Sequence, residues 1–485
     1  MQKLIAAAAT AHRAGRFDDA EALYRQIIER YPRHVRVRVN LANVLAELGR
    51  VGEAELHFRQ ALALEPKLAP AQLGLAGILA ESGRVVEAED LYRQAMVAGH
   101  GNAQAHYNLG LLVRGRGDID AAEAEYLRAL DFDPAHALAL NNLGNLRYRR
   151  GDCEGAIELY RRALSARGDY AEAKMNLGQA LLALGRFDEG WPLFESRAGP
   201  ALPRRVTIPP PVDFPAWSGE CLTGRSLLLW PEQGLGDEIQ FARYAPLVKQ
   251  AGLARLTIVC APELKRLFIS LPGVDCLLDH EDGMSVPRHD FWCFSLSVPY
   301  RLGTSVASIP AELPYLSPPD EVAAHWRTRL PGDGRFRVGL AWRGSTLHAN
   351  DSQRSLPDPA LLAPLWQIPN VSFVSLQKEG DGDSGLPILR FGSELADFAD
   401  TAALISQLDL VITVDTAVAH LAGALGKVCW VLLPAYGVDW RWLRGRADSP
   451  WYPGVMRLFW REAGSQWLTS IEKVAVELAA LTAAV

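Results

Sequence analysis

One glycine returns every 34 residues along the first part of the chain. Gly15, Gly49, Gly83, Gly117, Gly151 and Gly185 open the phrases GRFDDA, GRVGEA, GRVVEA, GDIDAA, GDCEGA and GRFDEG. A period of this length predicts a unit of two helices and a turn. Such a unit cannot bury its apolar face alone and must stack on its neighbours. The helical face is visible in each phrase. Ala20, Tyr24 and Ile27 recur as Ala54, Phe58 and Ala61, as Ala88, Tyr92 and Ala95, as Ala122, Tyr126 and Ala129, and as Ala156, Tyr160 and Ala163. Small residues admit a neighbouring helix, and the aromatic fills the space between units. Pro32, Pro66 and Pro134 stand where second helices must stop. The sixth unit departs, with Gly190 for the alanine and then Trp191-Pro192. That predicts an end unit adapted to dock on whatever follows it.

The 34-residue period is that of tetratricopeptide repeats, so residues 1–197 read as an α-helical solenoid of six repeats. The opening stretch MQKLIAAAAT runs straight into the first repeat and is read as one of its helices. Nine residues before the marker glycine stand Asn40, Asn108, Asn142 and Asn176, with Gly74 and Ala6 at the other two positions. Two readings follow. The amides, each donor and acceptor, form a ladder for an extended peptide backbone on the concave face, or they hold the repeat itself together. The ladder resembles the asparagine-lined superhelix of O-GlcNAc transferase. At about 1 kcal/mol net per contact, four amides bind a chain at about millimolar affinity, which favours weak and unselective presentation.

Bulk properties narrow the function classes. The chain has 485 residues, which suits two or three domains. A net charge of −6 argues against a general nucleic-acid or anionic-membrane binder. The six cysteines are dispersed, without metal-ligand spacing, which suits a reducing, cytoplasmic setting. No apolar run is long enough for a membrane span.

Beyond the repeats, residues 198–217 hold six prolines and read as a linker. The hydrophobic period then changes. Short β-rich runs at Ser226–Trp230, Leu256–Cys260, Phe336–Trp342, Val371–Leu376, Leu410–Val414 and Val428–Leu433 alternate with helical segments. This predicts parallel sheets with covering helices. Two halves, 218–325 and 335–485, are expected, each Rossmann-like and facing a cleft: a GT-B arrangement, with the acceptor on the first half and a nucleotide-sugar on the second.

Three motifs carry candidate chemistry. In LLLWPEQGLGDEIQFARY a strand enters a loop where Gly234 and Gly236 let a substrate approach the backbone. Asp237 stands at the strand's mouth, as a base or as a helix cap. In DLVITVDTAVAHLAGALG a buried strand ends at Asp415-Thr416. Thr416 and Ala417 would offer N–H groups and a hydroxyl to a phosphate. His420, one turn on, is either a donor to a leaving phosphate or a core histidine held by neighbours. The loop AWRGSTLHANDSQRS carries Arg343, His348, Asn350 and Arg354, of which the arginines suit phosphate oxygens. Asp-x-Asp triplets at 118–120, 131–133 and 381–383 are read as chance, and no metal is required. Trp440, Trp442 and Trp451 in DWRWLRGRADSPWYP are read as packing or as the cleft wall.

Together GLGDE, RGSTLHANDSQRS and VDTAVAHLAGAL resemble the ADP-heptose heptosyltransferase family. The whole chain looks like bacterial tetratricopeptide-repeat proteins that carry such a domain. The resemblance implies a metal-independent, inverting GT-B glycosyltransferase. Asp237 would be the base, with Asp415, Thr416 and His420 on the donor's diphosphate and Arg343 or Arg354 on phosphate. It implies no cofactor, a CMP-, ADP- or UDP-linked sugar as co-substrate, and a Ser/Thr acceptor on a protein held by the repeats, with flagellin as the implied client. Two alternatives stand beside it: an envelope-polysaccharide glycosyltransferase whose repeats recruit partners, and a non-catalytic adaptor.

Overall fold

The computed structural model describes residues 1–99, 101–202, 207–279, 285–346, 348, 350–378 and 385–483. They form two compact units, one of residues 1–146 with 158–169, the other of residues 147–157 with 170–485. The proline-rich stretch 198–217 therefore lies within the second unit.

In the first unit, helices Gln2–Arg13, Phe17–Arg30, Val35–Glu47, Val51–Leu64, Ala69–Glu81, Val85–Val97, Ala103–Gly115 and Ile119–Phe132 follow one another in antiparallel pairs. The marker glycines sit between the two helices of a pair, all six with φ between 71° and 88°. That left-handed conformation costs an L-residue about 1 kcal/mol or more, so the period is a backbone requirement. Tyr24, Phe58, Tyr92, Tyr126 and Tyr160 are each about fully buried, at 0–1% exposure. The rings press on glycines of a neighbouring helix, the following one for Phe58 and the preceding one for Tyr126 and Tyr160. A Cβ on Gly74 would lie 2.4 Å from Phe58, one on Gly110 2.5 Å from Tyr126, and one on Gly144 2.6 Å from Tyr160.

Helices Ala171–Ala183 and Phe187–Phe194 belong to the second unit. They cross at Gly178 and Gly190, where a Cβ on Gly190 would lie 3.1 Å from the Gly178 carbonyl oxygen. This is why glycine replaces the alanine of the other repeats. Phe187, Trp191 and Phe194 join Trp440 and Trp451 in one aromatic cluster, with the Trp191 and Trp440 rings edge to face at 5.3 Å. The Trp191 indole N–H donates to the Thr304 carbonyl at 2.8 Å. The docking expected of the sixth repeat is thus a core contact.

Two all-parallel sheets follow. The first contains β1 (Ser226–Trp230), β2 (Arg255–Cys260), β3 (Cys276–Asp279) and β4 (Phe291–Phe294) in the order β3-β2-β1-β4. The second contains β5 (Phe336–Ala341), β6 (Val371–Ser375), β7 (Leu410–Val414), β8 (Cys429–Leu433) and β9 (Met456–Trp460) in the order β6-β5-β7-β8-β9. All six expected strands are present. The three unforeseen ones, β3, β4 and β9, are edge strands with partly exposed residues, so they lack the continuous apolar run that marks a central parallel strand.

The proline-rich segment is not a free linker where it is described. Ala216 bridges in parallel to Trp292 in β4, the Trp217 N–H donates to the Trp292 carbonyl at 2.7 Å, and Phe214 packs with Leu228, Trp230 and Phe294. One continuous core joins the final repeat helices to both sheets, with Trp191, Leu227, Leu256, Val374, Val411 and Val431 among its members.

Trp191→Ala is expected to cost about 3–5 kcal/mol, as for buried tryptophans elsewhere, and Gly117→Ala about 1 kcal/mol from backbone strain. Denaturant unfolding of the full chain checks both. A Trp191 effect no larger than the Gly117 one would contradict its place in the core.

Candidate functional site

In open parallel sheets, ligands bind beyond the C-terminal strand ends, where the strand order reverses. The first sheet reverses between β1 and β4. That crevice is filled by the protein itself. Arg197, 1% exposed, makes a bidentate pair with Glu232 at 2.8 and 2.9 Å, and Glu232 also accepts the Leu296 N–H at 3.0 Å. The second sheet reverses between β5 and β7, and there the expected donor residues gather.

From the first sheet, β1 ends at Trp230 and the chain turns through Gln233 and Gly234, both exposed, into helix Leu235–Phe241. Asp237 is the third residue of that helix, and its carboxylate accepts the Gly234 N–H at 3.0 Å at the helix start. Its other oxygen is ion-paired with Arg441. Gly236 has a different task from the one expected. A Cβ there would lie 2.9 Å from the His420 ring and 3.4 Å from Ala417 Cα. Its bareness lets two helices meet and is already used by the protein. Gly234 faces open space apart from the Asp237 carboxylate.

From the second sheet, β5 leads to Arg343, whose side chain is exposed while its N–H donates to Gln377 at 3.1 Å. The Arg354 guanidinium lies against Gly344, 2.6 Å from where a Cβ would stand. Arg354 Nε stands 3.6 Å from an Asp351 carboxylate oxygen and makes no hydrogen bond among the described residues. Asn350 donates to the Gly437 carbonyl at 2.8 Å, and exposed His348 accepts the Asn350 N–H at 3.1 Å. At the end of β7, Thr416 caps helix Ala417–Ala424 by accepting the Val418 N–H at 3.2 Å. Its hydroxyl also lies 3.1 Å from that of Thr413, so it is engaged in the fold.

His420 lies within the core, as one of its two expected readings had it. It is 6% exposed, stacked on Trp442 at 5.2 Å, and hydrogen-bonded through Nδ1 to the Tyr452 hydroxyl at 2.9 Å. Burial, aided by Arg441 and Arg243, holds its pKa well below the usual histidine value, so the ring is neutral at pH 7. It supplies no positive charge to a phosphate. Trp440, Trp442 and Trp451, at 3%, 1% and 1% exposure, are packing.

Sequence reasoning missed Arg441. It is 4% exposed and lies over the Trp440 and Phe241 rings. Its guanidinium pairs with Asp439 at 2.7 Å, with Asp237, and with Gln233 at 3.3 Å, while its Nε is buried without a partner among the described residues. The signal was its place between two tryptophans in DWRW, where a cation is costly to bury unless carboxylates face it. The result is an acidic and basic mosaic. Asp237, Asp415 and Asp439 all act on Arg441, and Arg354 acts on both Asp415 and His348. Burial, with Asp439 adding to it, pushes the Asp415 carboxyl up to about 6. Burial also raises Asp237, against the opposing pull of Arg441. The neighbouring Glu238, likewise unforeseen, accepts the Ala261 N–H at 3.0 Å, and burial raises it to about 7.

In the repeats, Asn40 stands 16 residues after Tyr24, and Asn108 donates to the Tyr92 hydroxyl at 3.0 Å. Asn142 donates to the Tyr107 hydroxyl at 3.4 Å. The asparagine follows the tyrosine by 16 residues, and the repeat with Phe58 in place of tyrosine has Gly74 in place of asparagine. Asn108 and Asn142 thus make hydrogen bonds within the repeats, and Asn142 and Asn176 are 7% and 9% exposed. Of the Asp-x-Asp triplets, Asp118 caps a helix and Asp133 accepts the Ala135 N–H, while residues 381–383 lie outside the described residues. No described helix is long and apolar enough to cross a membrane.

Models of the tetratricopeptide repeat match residues 5–69, 97–137 and 141–203, and a second such model matches residues 52–112. The N-terminal region thus carries tetratricopeptide repeats. Protein FlbA of Caulobacter vibrioides is 33% identical over 332 residues, covering 61% of this chain and 53% of its own length. The chain thus spans about half the length of that curated relative. Among solved structures, pilF of Pseudomonas aeruginosa aligns at 18% identity with a TM-score of 0.38, covering 41% of this chain and 92% of its own. YrrB, described as a TPR protein with an unusual peptide-binding site, aligns at 20% identity with a TM-score of 0.31, covering 36% of this chain and 89% of its own. The repeats support a protein-interaction role.

The Asp415 carboxyl holds its proton more tightly in the folded chain, at about 6, than in the unfolded chain, at about 4. Its ionised form therefore costs stability above pH 6, and that cost fades as pH falls toward 4. Asp415→Asn is expected to raise the melting temperature at pH 7.5 and to change it little at pH 4.5. Paired thermal melts at the two values check it.

Proposed function

We propose that the second unit is a metal-independent GT-B glycosyltransferase. It moves a sugar from a nucleotide-sugar to Ser or Thr of a protein presented by the repeats. The observation that carries this reading is the ion pair of Asp237, beyond the first sheet, with Arg441, beyond the second, where Arg441 and Arg354 both act on Asp415. A carboxylate from one half faces a cation of the other, which is what transfer between an acceptor and an anionic leaving group requires. Arg343 and Arg354 bind the phosphate oxygens, and Asp415 borders the donor pocket. Asp237 takes the proton of the acceptor hydroxyl as its oxygen attacks the anomeric carbon. The carbon–oxygen bond to phosphate breaks on the opposite side, and the electron pair leaves with the phosphate. The acceptor is a protein rather than a lipid saccharide because the chain carries repeats suited to holding protein. Flagellin is the client suggested by the resemblance, with CMP-, ADP- and UDP-linked sugars as the donors to test.

A second reading, a non-catalytic adaptor, is favoured by one observation. Asp237 is already engaged by both Arg441 and the Gly234 N–H. Nucleotide-sugar turnover with the full chain decides between them. Transfer to a client protein is expected in the unaltered protein and is expected to fall by about 10²–10⁴-fold in Asp237→Asn. Full transfer in that variant would remove Asp237 as the base. No sugar-nucleotide binding or turnover with any donor would favour the adaptor.

A further inference from the structure

We infer that the Asp237–Arg441 ion pair is a latch that donor binding opens, making Arg441 a ligand for the donor's phosphate and freeing Asp237 for the acceptor; this rests on the glycosyltransferase reading above. The latch joins the two halves. Asp237 stands on the helix after β1, and Arg441 on the turn after β8. In this state Asp237 has both oxygens in use, one on Arg441 and one on the Gly234 N–H, so neither is presented to an acceptor hydroxyl.

Arg441 is built to hand over. It shares its charge among Asp237, Asp439 and the Gln233 amide, and keeps a buried Nε with no partner among the described residues. Arg354, which also acts on Asp415, has a buried Nε that makes no hydrogen bond among the described residues and only a long, 3.6 Å ion pair to Asp351. Two buried guanidiniums with unfilled donors suit an anion with several oxygens, such as a nucleoside phosphate. The exposed residues at the latch, Gln233 and Gly234, give it an open side.

An incoming phosphate competes with Asp237 for Arg441. Exchanging one anion for another on the same guanidinium avoids leaving a buried cation unpaired, the outcome that makes breaking such pairs costly. Once Arg441 turns to phosphate, Asp237 keeps the Gly234 N–H but loses its cation. A carboxylate in that position binds a proton more strongly and is a better base. The order of events follows: donor first, then acceptor activation.

The test is direct binding of CMP, ADP, UDP and GDP to the full chain by calorimetry, with Asp237→Asn and Arg441→Lys beside the unaltered protein. Removing the competing carboxylate charge is expected to tighten the preferred nucleotide by about tenfold, the worth of one charge-assisted hydrogen bond. Arg441→Lys, which loses the planar fork, is expected to weaken it by a similar factor. Unchanged or weaker binding by Asp237→Asn overturns the latch, even if Arg441→Lys misfolds, because the first variant reads it alone. If the unaltered chain binds none of the four nucleotides, the glycosyltransferase reading falls, and the latch with it. Binding that ignores both substitutions sinks only the latch.

Discussion

The aromatic cluster of Phe187, Trp191, Phe194, Trp440 and Trp451 is the contact on which the second unit depends. Its rings come from the last repeat helix and from the turn after β8, and Phe241 reaches Trp451 from the helix that carries Asp237. Three segments distant in sequence therefore share one desolvated patch, and such patches dominate core energetics. Trp440 is also the direct neighbour of Arg441, whose guanidinium lies 4.8 Å from the Trp440 ring centre. The end of the repeat array thereby shapes the turn that presents the cation to Asp237. Cutting the chain at the end of the repeats would remove part of this core, not a detachable arm.

A second constraint is the balance of buried charge. Arg197 closes one strand-order reversal with Glu232, and the other is lined by acids and arginines in near balance. The first arrangement is fully buried and structural, which is how a buried pair survives its desolvation. The second has exposed edges and two arginine Nε groups that make no hydrogen bond among the described residues. His420, adjacent to both Gly236 and Trp442, stays neutral and belongs to the wall between the halves.

Much of the architecture was legible because it rests on local chemistry. A glycine with positive φ every 34 residues needs no tertiary context to be read, and the central strands announce themselves as unbroken apolar runs. Edge strands β3, β4 and β9 were not legible, since half their residues face outward and mimic loops. Asp237 and Asp415 were singled out from their places at strand ends, and Arg354 from the polar loop that follows β5. Arg441 was hidden in a tryptophan-rich stretch, because a packing residue and a buried cation look alike without knowing what faces them. The asparagines were legible as a pattern, whereas the hydrogen bond from Asn108 to the Tyr92 hydroxyl was not.

By itself, then, the amino-acid order determined a tetratricopeptide-repeat region, two runs of parallel strands, and a set of charged residues at strand ends. Those features follow from backbone conformation and hydrophobic period, which act over a few residues. Only the tertiary structure decided that the sixth repeat is part of the following core, that Gly236 serves helix packing, that His420 is neutral, and that Arg441 meets Asp237. Each of those depends on burial and on the pairing of groups up to about 200 residues apart, as with the 208-residue separation of Gln233 and Arg441. Desolvation decides such pairings, and desolvation is a property of the fold rather than of the local sequence.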